Sequence, residues 1–273
     1  MMRGCPVMVR VYTNPVNIPV RLRYVNTNPF DLSHFRWYME RFGDTVESVL
    51  LDTGVHSLFL DPEVKDYPPG FIRRYVRAIS QVSRLLDRYG NIELYYVIPD
   101  VPSDYPGREK YYPWNVRRTV EYIVLFERIG KELPGRPLPV VQGRENDPWS
   151  TLQTWNEYHH IYEKYDYVAL GPTCSSRNVR QLALQIKLFD SLMRREGKEY
   201  HAFGVHLSTF SYMARRRARL YSLKSLDSSS YWFDIKYRHG RRKTREQMAE
   251  IVREKIRKLE LTVGLVVHSG REE

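Results

Sequence analysis

The chain has 273 residues, of which 42% are hydrophobic and 27% charged, which is enough to bury a core and too apolar for a disordered chain. No apolar run approaches the roughly 20 residues that a membrane helix needs, and Met1-Met2-Arg3-Gly4-Cys5 leads straight into a strand-like pattern, so a cytoplasmic protein without signal peptide or membrane span is expected. Two cysteines, Cys5 and Cys174, exclude a disulfide framework and a four-cysteine metal site, while a net charge of +11 favours a polyanionic partner, nucleic acid first, with a merely basic surface as the alternative.

Residues 6–12 and 20–25 alternate apolar and polar and read as strands joined by the Pro- and Asn-rich 13–19, an opening hairpin. Asp31-Leu32-Ser33 caps a helix through Phe42, and 46–51 is the first buried strand, delivering Asp52-Thr53-Gly54. An acid followed closely by glycine exposes a carboxylate on a tight turn, although a plain turn has the same composition. Ile72, Tyr75, Val76, Ile79, Val82, Leu86 and Tyr89 share one helical face that stops at Gly90. Strand 92–98 ends in Pro99-Asp100-Val101-Pro102-Ser103-Asp104, a helix covers 114–133, and strand 137–141 ends in Gln142-Gly143-Arg144. A helix over 149–164 is followed by strand 167–170, which ends in Gly171-Pro172.

The next helix places Val179, Leu182, Ala183, Ile186, Phe189 and Met193 on one face, and strand 201–205 ends in His206. A short basic helix with Arg215, Arg216, Arg217 and Arg219 leads to the strand that carries Asp227, after which Ser228-Ser229-Ser230-Tyr231-Trp232 follows. Met248, Ile251, Val252, Ile256 and Leu259 stripe a last helix, and 261–267 reads as a final strand. Strands alternating with helices mean parallel βαβ units. About eight of them predict a single TIM-type (β/α) barrel over 1–273, with 1–30 as an N-terminal hairpin and 31–273 as the barrel. A doubly wound open sheet is the alternative, without a Gly-rich phosphate fingerprint to recommend it.

In a barrel the loops after the strands converge on one rim, bringing together Asp52, Asp100, Asp104, Gln142, Gly143, Gly171, His206 and Asp227. Two carboxylates on one rim divide covalent attack from proton transfer when their surroundings set their ionisation apart. Gln142 has the donor and acceptor that reading a base edge requires, and a glycine lets backbone approach a flat ligand. A turn-capping role for Asp227 and simple hydrogen bonding by His56 or His206 are the plainer alternatives. His159-His160 lacks metal-pair spacing and reads as surface or packing.

Asp52-Thr53-Gly54, Pro99-Asp100, Val140-Val141-Gln142-Gly143, Leu170-Gly171, Phe203-Gly204-Val205 and Asp227, in that order over residues 46–235, resemble the tRNA-guanine transglycosylase superfamily. Gly171-Pro172-Thr173-Cys174-Ser175-Ser176, His201-Ala202-Phe203-Gly204-Val205 and Ser225-Leu226-Asp227-Ser228-Ser229-Ser230-Tyr231-Trp232 are similar to its DNA-modifying branch, the deazapurine-in-DNA protein A family. The resemblance implies a barrel that exchanges guanine for a 7-deazaguanine such as 7-cyano-7-deazaguanine. Asp227 is then the nucleophile holding a covalent glycosyl intermediate, Asp52 the general acid/base, and Asp100, Gln142, Gly143 and Gly171 the readers of the base. The structural zinc site of the tRNA enzymes has no counterpart after Cys174, so no metal or cofactor is expected, and Val55 replaces a glycine of the family's turn.

The clusters Arg215, Arg216, Arg217, Arg219 and Arg238, Arg241, Arg242 flank the Asp227 strand and are assigned to phosphate, with Arg108, Lys110, Tyr111 and Tyr112 as a possible extension. The expected partners are DNA or, alternatively, tRNA, with a deazaguanine base as the small substrate, no membrane, and room for helper proteins or a homodimer. Exchange on tRNA, a non-catalytic nucleic-acid-binding barrel and a hydrolase of small glycosides stay open, the last disfavoured by the charge.

Overall fold

Apolar residues switch repeatedly between a two-residue and a 3.6-residue period, which is why strands and helices alternate. The computed structural model describes residues 9–14, 19–54, 58–103, 105, 107–173, 178–227 and 244–267. Its strands are β1 (Arg10–Tyr12), β2 (Tyr24–Thr27), β3 (Ser48–Leu51), β4 (Glu93–Val97), β5 (Arg136–Leu138), β6 (Val140–Val141), β7 (Tyr167–Leu170), β8 (Glu199–Ala202) and β9 (Leu223–Asp227). The helices are α1 (Leu32–Phe42), α2 (Phe71–Leu86), α3 (Tyr112–Ile129), α4 (Pro148–Glu157), α5 (His159–Tyr162), α6 (Val179–Arg195), α7 (Leu207–Arg215) and α8 (Arg245–Gly264). The fold is mixed α/β. One sheet has the order β1-β9-β8-β7-β6 and the other β2-β3-β4-β5, with every neighbour parallel.

The two sheets meet at both ends. A parallel bridge between Thr13 and Val25 ties β1 to β2. β5 and β6 are one stretch broken at Pro139: Ile98 N–H donates to Leu138 O at 2.9 Å on one side, and Ala169 N–H donates to Pro139 O at 2.8 Å on the other. Both faces of the strands are buried, as parallel sheets require. Val49 and Leu51 join the large core shared with the helices, whereas Leu50 joins an inner cluster with Tyr12, Tyr24, Tyr95, Val97, Leu138, Val140, Ala169 and Phe203. That cluster draws on both sheets, so they face one another across it. Beneath it, at the amino ends of the strands, Arg10 of one sheet pairs with Glu93 of the other, and Arg136 lies 3.9 Å from the same carboxylate.

Four expectations are corrected. The segments at 10–12 and 24–27 form no hairpin: they run parallel and belong to the two sheets, because the link between them, with the Pro and Asn content of a turn, joins strands of the same direction. The expected helix 149–164 breaks at Tyr158 into α4 and α5. The expected final strand is largely the end of α8, whose apolar stripe continues through Leu259 and Val263 into the core, leaving only a bridge between Leu220 and Val267. Arg108 is fully buried over the Phe59 ring, not on an exposed phosphate track. No helix among the described residues is long and apolar enough to cross a membrane.

Candidate active site

Because every strand runs the same way, their carboxyl ends share one end of the molecule. Asp52 follows β3, Asp227 ends β9, Asp100 lies three residues past β4, Gln142-Gly143 follow β6, Gly171 follows β7, and His206 opens α7 after β8. Asp104, His56, Arg238, Arg241, Arg242 and residues 228–232 lie outside the described residues.

A bulge aims Asp227. Tyr200 pairs with Leu223 but His201 with Ser225, so Lys224 is an extra residue in β9. Leu223 and Leu226, three apart, both reach the outer core, which strict alternation forbids. The inserted residue turns Ser225 and Asp227 to the inner face; bulges next to sites re-aim side chains in this way. There the Asp227 Oδ1 accepts from Gly204 N–H at 2.6 Å and lies 3.4 Å from His201 Nε2. Gly204 has φ +59°, a conformation that favours glycine.

His201 is wholly buried and ends a short relay: its Nδ1 is 2.5 Å from Ser225 Oγ, which is 2.5 Å from the Tyr167 hydroxyl. Tyr12 and Phe203 present their rings edge-on to the imidazole. Sequence reasoning missed this relay. The phase shift in β9 leaves no local mark, and only the position of His201 inside a family-like motif pointed to it.

Asp52 is partly exposed, yet its carboxyl is crowded by protein. Burial and then the negative charge of Asp227 raise its pKa from 3.8 to about 6, opposed by the Thr53 and Gly54 amides. Thr53 N–H donates to Oδ1 at 2.6 Å. Gly54 turns the chain at φ +76°, and a side chain there would meet the Phe30 ring at 3.0 Å; Phe30 itself is 62% exposed.

Asp100 and Gln142 are both buried, and Gln142 Nε2 donates to the Asp100 carboxylate. Gln142 Oε1 is a buried acceptor without a donor among the described residues, an arrangement that costs about 1–3 kcal/mol until a ligand donor fills it. Gly171 makes room for that amide: a Cβ there would lie 2.8 Å from Gln142 Nε2 and Val140 Cγ1. At Gly143 a Cβ would lie 2.3 Å from Thr151 Oγ1 at the start of α4. Tyr67 donates to Asp100 O at 2.9 Å. The His206 side chain has no hydrogen-bond partner among the described residues, and burial lowers its pKa.

The arginines are placed differently. Arg215, Arg216, Arg217 and Arg219 lie between α7 and β9, before the strand that Asp227 ends. Among the described residues no three His, Cys, Asp or Glu side chains cluster as metal ligands would. No family model and no curated protein matches the chain.

Proposed function

We propose that the protein is a base-exchange glycosyltransferase acting on a nucleic acid, DNA in the first instance, and that its two sheets form one closed eight-stranded (β/α) barrel. The Thr13–Val25 bridge, the unbroken chain through Pro139 and the inner cluster fed by both sheets support the barrel. The observation that carries the chemistry is the pair Asp52 and Asp227: acids at strand ends of the two different sheets, close enough that the charge of Asp227 helps to hold Asp52 at about 6.

Asp227 attacks the anomeric carbon, and the bond from that carbon to the guanine nitrogen breaks as the ester forms. Asp52, protonated, gives its proton to the departing base. It then takes the proton of the incoming 7-deazaguanine, whose nitrogen displaces Asp227 and restores the carboxylate. Two displacements retain configuration, the logic of retaining glycosidases. Asp100, Gln142 and the backbones of Gly143 and Gly171 read the base, whose donors would satisfy Gln142 Oε1. The base must leave its stack to reach these groups, and the exposed Phe30 ring offers it a face.

The test is incubation with radiolabelled 7-cyano-7-deazaguanine and either duplex DNA or tRNA. Label in DNA supports the reading, label in tRNA alone moves the substrate to tRNA, and label in neither rejects the exchange.

A further inference from the structure

The outer wall carries a feature that base exchange does not require. Between α6 and the turn after α7 lies an open cavity of about 850 Å3, lined by Arg180, Lys187 and Arg194 on one side and Arg216, Arg217 and Arg219 on the other. All six are exposed, and none forms an ion pair with a carboxylate among the described residues. The acid in the lining, Asp190, is buried and occupied, accepting from Tyr221 and Ser222 N–H at 2.9 Å. Arg194 lies over the Tyr221 ring at 4.1 Å and Arg216 over the Tyr212 ring at 5.5 Å, a flat seating that leaves guanidinium N–H edges for a ligand.

A second observation bears on Arg217. Helix α7 ends with Ala218 N–H donating to Met213 O and Arg217 N–H donating to Ala214 O, the paired bonds of a helix stop whose left-handed residue is usually glycine. Here that residue is Arg217, at φ +52°. An arginine in a position that favours glycine weakens the helix end, and what it adds is a cation in the groove.

The geometry points to this groove as a binding site for the sugar-phosphate backbone of nucleic acid, leading from the rim that carries the carboxylates down the outer wall. Arg180, Lys187 and Arg194 recur every seven residues on α6. At 1.5 Å per residue they span about 21 Å, roughly six base steps of 3.4 Å. Arg180 opens α6 just past the β7 loop at the rim, and Arg194 closes it at the far end. Six of the seven cations in the lining, Arg195 included, are arginines, whose planar forks suit phosphate oxygens. The apolar floor includes Leu184, 42% exposed.

Fluorescence anisotropy of a labelled 24-base-pair duplex, read from 50 to 200 mM salt, tests the site together with thermal melting. Arg217→Gly is expected to raise the melting temperature by about 2–4 °C while weakening binding several-fold and lowering the salt slope by about one. Arg217→Lys keeps the slope, and Arg194→Ala lowers it without the gain in melting temperature. Unchanged affinity and slope in a folded Arg194→Ala/Arg217→Gly variant overturn the site. So does displacement of the duplex by polyglutamate as readily as by unlabelled DNA, which would assign the groove to an acidic protein. Binding is read without turnover, so failure of base exchange with groove-dependent binding retained leaves this site standing.

Discussion

Burial and the charge of Asp227 hold the Asp52 carboxyl at about 6, and the sign of its effect on stability follows. The folded state binds the proton more tightly than the unfolded chain, so the stabilisation is present below about pH 4 and lost as pH rises through 6, by at most about 3 kcal/mol. Asp52→Asn is expected to match the native protein in urea denaturation at pH 4 and to exceed it at pH 7.5; equal stabilities at both values would remove the buried acid. The same variant loses exchange by a factor of about 10²–10⁴, the usual contribution of a positioned acid/base. At Gly171 the prediction concerns recognition. Gly171→Ala pushes its Cβ into the Gln142 amide and Val140, so it is expected to raise KM for the base at least tenfold while the chain still folds. An unchanged KM would detach Gln142 from base reading. These residues were legible because a parallel sheet delivers strand-end residues to one side, and Asp52, Asp100, Gln142, Gly171 and Asp227 each follow a clear apolar run. His201 was not legible as a partner of Asp227, since that pairing depends on the phase of a neighbouring strand.

Among the elements, β9 makes the sharpest case. Inserting one alanine between Leu226 and Asp227 shifts the alternation by one residue and turns Asp227 outward, whereas Lys224→Ala keeps the bulge and loses a cation that pairs with Glu199 and lies over the Tyr167 ring. Exchange is therefore expected to vanish in the insertion and survive in the substitution; activity in a folded insertion variant would contradict the account of how Asp227 is aimed. The ends of β3 and β4 depend on α2, whose Tyr75 hydroxyl sits 2.9 Å from Leu51 O and 2.7 Å from Val97 O. Tyr75→Phe leaves buried carbonyls short of a donor and is expected to cost about 1–3 kcal/mol in denaturation. Most strands and helices from 32 to 259 were readable from periodicity, but not the break at Tyr158 or the span of α7, which ends at Arg215 and leaves Arg216, Arg217 and Arg219 beyond it. The first and last segments were not. A crossover and a hairpin turn share Pro and Asn, and the branched apolar residues of 261–267 fit a strand as well as the helix end that Val263 packs into the core.

For the molecule as a whole, part of the basic excess behind a charge of +11 gathers in a groove that sequence order alone does not reveal. Arg215, Arg216, Arg217 and Arg219 look adjacent to Asp227 along the chain, yet β9 separates them from it, and the groove that Arg216, Arg217 and Arg219 line faces α6. The barrel was suggested by the count of βαβ units, and the Thr13–Val25 bridge is the contact that makes closure reasonable. The central claim is that Asp227 forms a bond to the sugar. Denaturing electrophoresis of the protein mixed with labelled duplex DNA, quenched before the incoming base is added, tests it directly. The account predicts a protein–DNA adduct that survives denaturation in the native chain and is absent from Asp227→Asn. An adduct of equal yield in Asp227→Asn, or none in a native chain that exchanges bases, would contradict it.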